Sequence, residues 1–155
     1  KLDAAIADYI KKTYNLAIGD GMAEEVKIRI GSAVPVEQEL VMPVRGRDFI
    51  TGLPRQADLK TNDIVKAIAR ELREIIKAVR DVLQETPPEL ASDIIDSGIT
   101  MTGGTRQLRH FPELILRRTG VKAQLADDAY YCVAKGTGIA LNHLDTYKKA
   151  VIAKR

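Results

Sequence analysis

The sequence predicts an α/β fold, helix-rich in its first part and alternating between strand and helix in its second. Three observations carry this. Ile64, Ile68, Leu72, Ile75, Val79, Val82 and Leu83 recur at three- and four-residue spacing, which marks one long helix with an apolar stripe. Beyond residue 98, short β-rich runs and helical runs follow one another as strand–turn–helix–strand–helix, the rhythm of a sheet covered by helices. The composition is that of a globular chain. With 155 residues, 45% apolar and 29% charged, it excludes disordered, collagen-like and low-complexity classes.

The elements follow in order. Residues 1–13 form a helix with Leu2, Ala5, Ile6, Tyr9 and Ile10 on one face. Residues 15–21 break it. A second helix spans about 21–30, with Met22, Val26 and Ile30 on one stripe and Gly31 closing it. Leu40, Met42 and Val44 alternate with their neighbours as a strand, and Pro43 points to an edge strand or a bulge because it lacks a ladder donor. Arg45-Gly46-Arg47-Asp48 reads as a turn, and an extended stretch runs from Leu53 to Leu59. Thr61 is the expected N-cap of the long helix, which Thr86-Pro87-Pro88 stops. Proline then starts a helix over 89–96, ended by Gly98. Residues 99–102 form a strand, 111–118 a helix ending at Gly120, and 121–125 a strand. Asp127-Asp128 are expected to cap a last helix reaching Leu144. The tail from Lys148 to Arg155 alternates cations with apolar residues, a pattern that could lie on a membrane or a partner but more often marks a frayed helix end with favourable C-terminal cations.

Composition limits function as well. One cysteine cannot form an internal disulfide, which excludes a stapled secreted scaffold and favours a reducing compartment. No stretch approaches the ~18 apolar residues of a membrane span. The net charge of +3, from 24 cations and 21 anions, is interleaved and forms no dense basic stripe with aromatics, so no nucleic-acid partner is expected. The chain begins with Lys1, not Met, and shows no signal peptide, which is what a piece of a longer protein looks like.

The catalytic inventory is thin. His110 and His143 are far apart and lack metal-ligand spacing, so no metal site is expected. Cys132, between Tyr131 and Val133, reads as a small buried hydrophobe rather than a nucleophile. No catalytic residue is assigned. Two features stand out. Met101-Thr102-Gly103-Gly104-Thr105 puts paired glycines where a strand ends, where backbone can approach a phosphate or sugar and its N–H groups can meet an anion; a tight turn without a ligand would use the same residues. Glu24 and Lys27 are three apart and share a helix face, where a carboxylate could accept bonds from ribose hydroxyls and an ammonium could sit near a base or phosphate; as a bare pair they would be a surface ion pair.

Several segments in fixed order carry a resemblance. Ala23-Glu24-Glu25-Val26-Lys27, Ile30-Gly31-Ser32-Ala33, Val44-Arg45-Gly46-Arg47-Asp48, Gly52-Leu53-Pro54, Thr86-Pro87-Pro88-Glu89-Leu90-Ala91-Ser92-Asp93-Ile94, Thr102-Gly103-Gly104 and Cys132-Val133-Ala134 resemble, in order and spacing, the bacterial actin-like rod-shape-determining proteins MreB and Mbl. Lys12-Thr13-Tyr14-Asn15-Leu16 resembles the Mbl branch. The likeness extends to about His143 and covers only the family's second large domain.

The resemblance implies an actin/Hsp70-like ATPase fold, with a ribonuclease-H-like sheet-bearing lobe over 1–15 and 91–155 and a smaller helix-rich α+β lobe inserted at 16–90. It implies that Glu24 and Lys27 contact adenosine, and that Gly103 and Gly104 with the following Thr105 and Arg106 form a nucleotide loop for ATP or ADP. Family members usually continue with a third glycine and an alanine, so Arg106 is a departure. The family's phosphate loops and hydrolytic carboxylate precede this region. The chain alone is therefore expected not to hydrolyse ATP or to hold Mg²⁺ properly. The implied parent is an ATP-dependent filament former, assembling head to tail with itself in the cytoplasm. There it meets the cytoplasmic membrane and the cell-wall elongation machinery. A non-polymerising chaperone or sugar-kinase relative of the same superfamily is the alternative, since fold alone does not fix function.

Overall fold

The computed structural model describes residues 1–104 and 108–151, with side chains up to residue 147. Helix α1 (Leu2–Tyr14) ends where Asn15 turns left-handed at φ 51°. Strand β1 (Leu16–Ala17) occupies the predicted break, and α2 (Asp20–Ile30) follows. Then come β2 (Val41–Asp48), β3 (Pro54–Lys60) and the long α3 (Thr61–Glu85). The second half holds α4 (Pro88–Ser97), β4 (Ile99–Met101), α5 (Phe111–Thr119), β5 (Ala123–Leu125), α6 (Cys132–Asn142) and α7 (Leu144–Val151).

Two sheets form. Strands β1, β2 and β3 make an antiparallel sheet in that order, with Leu16 opposite Asp48 and Val44 opposite Ala57. Strands β4 and β5 pair in parallel, joined through α5, with Thr100 opposite Gln124. This is the βαβ unit that the rhythm of the sequence predicts.

The first sheet departs from the sequence reading at two places. Arg45 to Asp48 are not a turn; they are the last residues of β2, and the turn lies one step on, at 49–52. Gly46 serves close approach instead. A Cβ there would sit 2.3 Å from the Ala17 carbonyl oxygen of the neighbouring strand. Asp48 organises the real turn, because its Oδ1 accepts the N–H groups of Ile50 and Thr51 at 2.9 and 2.8 Å. Pro43 does not make β2 an edge strand, since β2 is central. However, β1 pairs only with Arg47 and Asp48, so at Pro43 the strand has β3 alone as a neighbour and tolerates the missing donor.

Three helix boundaries also differ. Lys60, not Thr61, is the N-cap of α3, and its N–H donates to Asp63 Oδ2 at 3.1 Å. Thr61 is fully buried, and its hydroxyl accepts the Leu40 N–H at 3.0 Å. The stripe of α3 that reaches the core is Ile64, Ile68, Leu72 and Ile76, whereas Val82 is exposed. The helix therefore runs past the end of the core it covers. The expected last helix is two helices separated at His143, and Asp127-Asp128 do not cap it. Asp128 is left-handed at φ 51°, incompatible with a helical turn, and its carbonyl accepts the Tyr131 N–H at 2.7 Å. Cys132 is half-exposed at the start of α6, not buried, with its Sγ near the carbonyls of Asp127 and Asp128.

The core is aliphatic and unites α1, α2, α3, α5 and the first sheet. Ile6, Ile10, Leu16, Val26, Val44, Leu59, Ile64 and Ile68 are all inaccessible to solvent. Burial of each such side chain contributes about 1.5–3 kcal/mol. Helices α4 and α6 bury no residue, and Ile95, Val133, Ile139 and Leu141 are exposed. The apolar sequence of α6 thus has no cover within the described residues.

Candidate functional site: the α2 face and the glycine turn

Helix α2 buries Ala23, Val26 and Ile30 against the core, which leaves Glu24 on the solvent side and Lys27 at its margin. Glu24 is exposed and, among the described residues, has no ion-pair partner. It is a free acceptor. Lys27 is different. Its Nζ lies 2.7 Å from Asp3 Oδ1 on α1, and only 14% of its side chain is exposed. The two residues therefore share a helix face without pairing with each other. Lys27 is held in place by α1, and Glu24 is left for an external donor.

The glycine turn follows β4. Gly103 is left-handed at φ 86°, so its identity follows from the backbone. Its N–H donates to the Ala129 carbonyl at 2.7 Å and so is not available to an anion, contrary to the sequence expectation. Gly104 has no positive φ, and among the described residues a Cβ there would meet nothing within 4 Å. Neither backbone strain nor packing requires glycine at 104. Open space beside a residue without a side chain is what a ligand approaching the backbone needs. Thr105 and Arg106 lie outside the described residues, as does the tail beyond residue 151.

The segment that follows the turn is fastened to the end of α2. Ser32 bridges to Arg109, with the Ala33 N–H donating to the Arg109 carbonyl at 2.8 Å. The Arg109 guanidinium returns the contact. Its Nε donates to Gly31 O at 3.1 Å and its Nη2 to Ile30 O at 3.1 Å, satisfying carbonyls at the α2 C-terminus that have no helical partner. The same Nη2 lies 3.4 Å from Thr61 Oγ1, at the start of α3. His110 Nδ1 lies 3.1 Å from the Ser32 hydroxyl. Arg109 thus joins α2, α3 and the stretch after the glycine turn. Sequence reasoning missed it, because one arginine among 24 cations carries no local pattern.

No group of three or more His, Cys, Asp or Glu side chains among the described residues could hold a metal ion. Glu24 offers an exposed carboxylate and Gly104 a backbone left uncovered by the described residues. They do not by themselves supply phosphate-binding groups.

This arrangement, an antiparallel helix-rich part joined to a parallel βαβ part, is that of the actin-like ATPase fold. Crystal structures of MreB5 of Spiroplasma citri bound to AMPPNP and to ADP superpose on it with TM-scores of 0.87 and 0.88 at 34% identity, over 97% and 96% of this chain and 45% of theirs. A MamK double helical filament, at 20% identity and a TM-score of 0.67 over 84% of this chain and 40% of that one, shares the fold. The chain belongs to the MreB/Mbl protein family, whose pattern it matches over residues 1–149. It is 38% identical to the cell shape-determining protein Mbl of Bacillus cereus over 98% of this chain and 46% of that protein. It is 40% identical to the cell shape-determining protein MreB of Escherichia coli over 95% of this chain and 42% of that protein. The chain thus spans less than half the length of the relatives it matches.

Proposed function

We propose that this chain forms the second, C-terminal large domain of an ATP-binding bacterial actin homologue that assembles into filaments and organises cell-wall synthesis and rod shape. The observation that carries the reading is the free, exposed Glu24 on the α2 face, in a chain whose relatives of known structure hold AMPPNP and ADP. Glu24 accepts hydrogen bonds from ribose hydroxyls. Lys27, fixed by Asp3, presents its remaining N–H groups to the adenosine side. Gly104, with Gly103 shaping the turn, admits the nucleotide by backbone approach; the resemblance assigns Thr105 and Arg106, which lie outside the described residues, to the same nucleotide loop. ATP and ADP are the ligands. The reaction, and the Mg²⁺ it uses, depend on phosphate-binding groups outside these 155 residues.

In this reading residues 1–15 and 91–155 make the sheet-bearing lobe and 16–90 the smaller one. The three-stranded sheet lies wholly within the second range and the two-stranded sheet wholly within the first. Helix α1 packs on α2 and α3, so in this division the two lobes share one core. The lobes supply opposite faces of a head-to-tail contact between copies. Filaments lie in the cytoplasm against the membrane, where they meet the wall-elongation machinery. No described helix is long and apolar enough to cross a membrane.

The test is nucleotide binding by the full-length protein, read from the fluorescence of a labelled ATP analogue. Glu24→Lys is expected to weaken binding by about tenfold or more, the loss of a charged hydrogen-bond acceptor. Unchanged affinity in a folded variant removes the site assignment. Sedimentation with ATP tests assembly separately.

A further inference from the structure

A groove of about 780 Å³ runs between α3 and α5, away from the α2 face, with residues 33–35 contributing to its wall. Its floor is apolar, lined by Val34, Val65, Ala69 and Leu114 over the buried side chains of Leu72 and Ile76. Its rim is cationic. Arg73, Lys77 and Arg80 follow one another at i, i+4 and i+7 along α3, and Arg117 and Arg118 face them from α5. Asp81 is the one carboxylate in the lining. The formal excess of this single groove is larger than the +3 of the whole chain.

Most of that charge is unpaired among the described residues. Arg117 pairs with Glu113, but among the described residues Arg73, Lys77, Arg80 and Arg118 have no ion-pair partner. Like charges one helical turn apart, Arg73 with Lys77 and Lys77 with Arg80, repel one another, and Asp81 is the single carboxylate in the lining to offset them. A negatively charged occupant would convert the repulsion into attraction.

We propose that the groove receives an acidic amphipathic helix of a partner protein. The rim cations of α3 span about 10 Å along its axis, or two turns, which matches a helix of two to three turns laid alongside. Its apolar side chains, at i, i+4 and i+7, enter over Val65, Ala69 and Leu114, and its Glu or Asp side chains flank them to meet Arg73, Lys77, Arg80 and Arg118. The surface fits other anionic partners less well. The lining contains no aromatic side chain on which a nucleic-acid base could stack. Its apolar atoms lie at the bottom of a concavity, where a membrane surface cannot reach them.

The experiment uses the full-length protein and a fluorescein-labelled, helix-stabilised 14-residue peptide with leucines on one face and glutamates on the others. Fluorescence anisotropy should report binding in the micromolar range, and Lys77→Glu/Arg80→Glu should weaken it by about tenfold or more while circular dichroism stays unchanged. Both residues are exposed, so the fold tolerates the change. A control peptide with serine for leucine should bind at least about tenfold more weakly, because the floor then contributes nothing. The proposal falls if the acidic peptide does not bind up to about 1 mM, or if the serine control binds equally well. It also falls if the charge-reversed variant loses only its binding to an oligonucleotide or to phosphatidylglycerol vesicles.

Discussion

The Lys27 ammonium lies 2.7 Å from Asp3 Oδ1, so the cation of the candidate nucleotide site is tied to α1 rather than to Glu24 on its own helix. This ion pair links α1 to α2 through residues 24 apart in sequence, and only 14% of the Lys27 side chain is exposed. Asp3→Ala leaves a largely shielded ammonium without its carboxylate and should cost about 1–3 kcal/mol in urea unfolding. Lys27→Ala added to it should cost less than the sum of the two single changes, because the pair is coupled. Strict additivity in that cycle would show that the contact does not contribute.

Gly46 and Gly104 should respond differently to alanine. At 46 the new Cβ meets the Ala17 carbonyl oxygen of the adjoining strand, so Gly46→Ala should destabilise by about 1–3 kcal/mol. At 104 no described residue stands within 4 Å, so Gly104→Ala should leave stability within about 0.5 kcal/mol. Thermal unfolding measures both. Reduced nucleotide affinity in Gly104→Ala, at unchanged stability, would place the ligand against that backbone.

Arg109 is expected to matter for stability through geometry rather than charge alone. Arg109→Ala exposes the Ile30 and Gly31 carbonyls without a donor and should cost about 1–3 kcal/mol. Arg109→Lys should recover little of that, because one ammonium cannot reproduce a planar fork reaching both carbonyls. Equal unfolding midpoints for wild type and the lysine variant would contradict this.

The pH dependence of stability should include a contribution from Asp48. The N–H groups of Thr51 and Ile50, with Arg55 nearby, hold its carboxyl below the usual carboxylate range. A depressed folded pKa means that the stabilisation is fully present above the unfolded value of about 3.9, and is lost as pH falls through the folded value. Asp48→Asn keeps an acceptor for the turn but does not titrate. Urea midpoints measured between about pH 5 and pH 2 should therefore fall less steeply in the variant. Parallel slopes would assign the acid sensitivity to other carboxyls.

The uncovered face of α6 should make the 155-residue chain adhesive. Val133 is 76% exposed and Leu141 60%. Exposed apolar surface of this kind marks an interaction site or an aggregation liability. The isolated chain should bind a hydrophobic dye and self-associate, and Val133→Lys/Leu141→Lys should suppress both. A monomeric, dye-negative wild-type chain would show that the face is too dispersed to act as a patch.

Much of this molecule was legible before the structure. The period of Ile64, Ile68 and Leu72, the proline stop at Pro87 and Pro88, and the left-handed Gly98 and Gly120 are local properties, so α3, α4 and α5 lie where the sequence puts them. The order of its motifs, from Ala23–Lys27 to Cys132–Ala134, was enough to indicate the family. Other features depend on atoms that are distant in sequence. Gly46 looked like a turn residue because nothing near it in the chain shows that the Ala17 carbonyl would pass beside it. The partner of Lys27 proved to be Asp3, and the partners of Arg109 proved to be Ile30, Gly31 and Thr61, since hydrogen bonds and ion pairs act over a few ångströms of space whatever the separation along the chain. The cationic groove likewise exists only because α5 brings Arg118 across from Arg73 and Lys77. By itself the sequence determined the family and the type of the strongly periodic elements, α3 above all. Tertiary packing decided which charges are paired inside the fold, as Lys27 is with Asp3, and which, like Glu24, are left exposed without an ion-pair partner among the described residues.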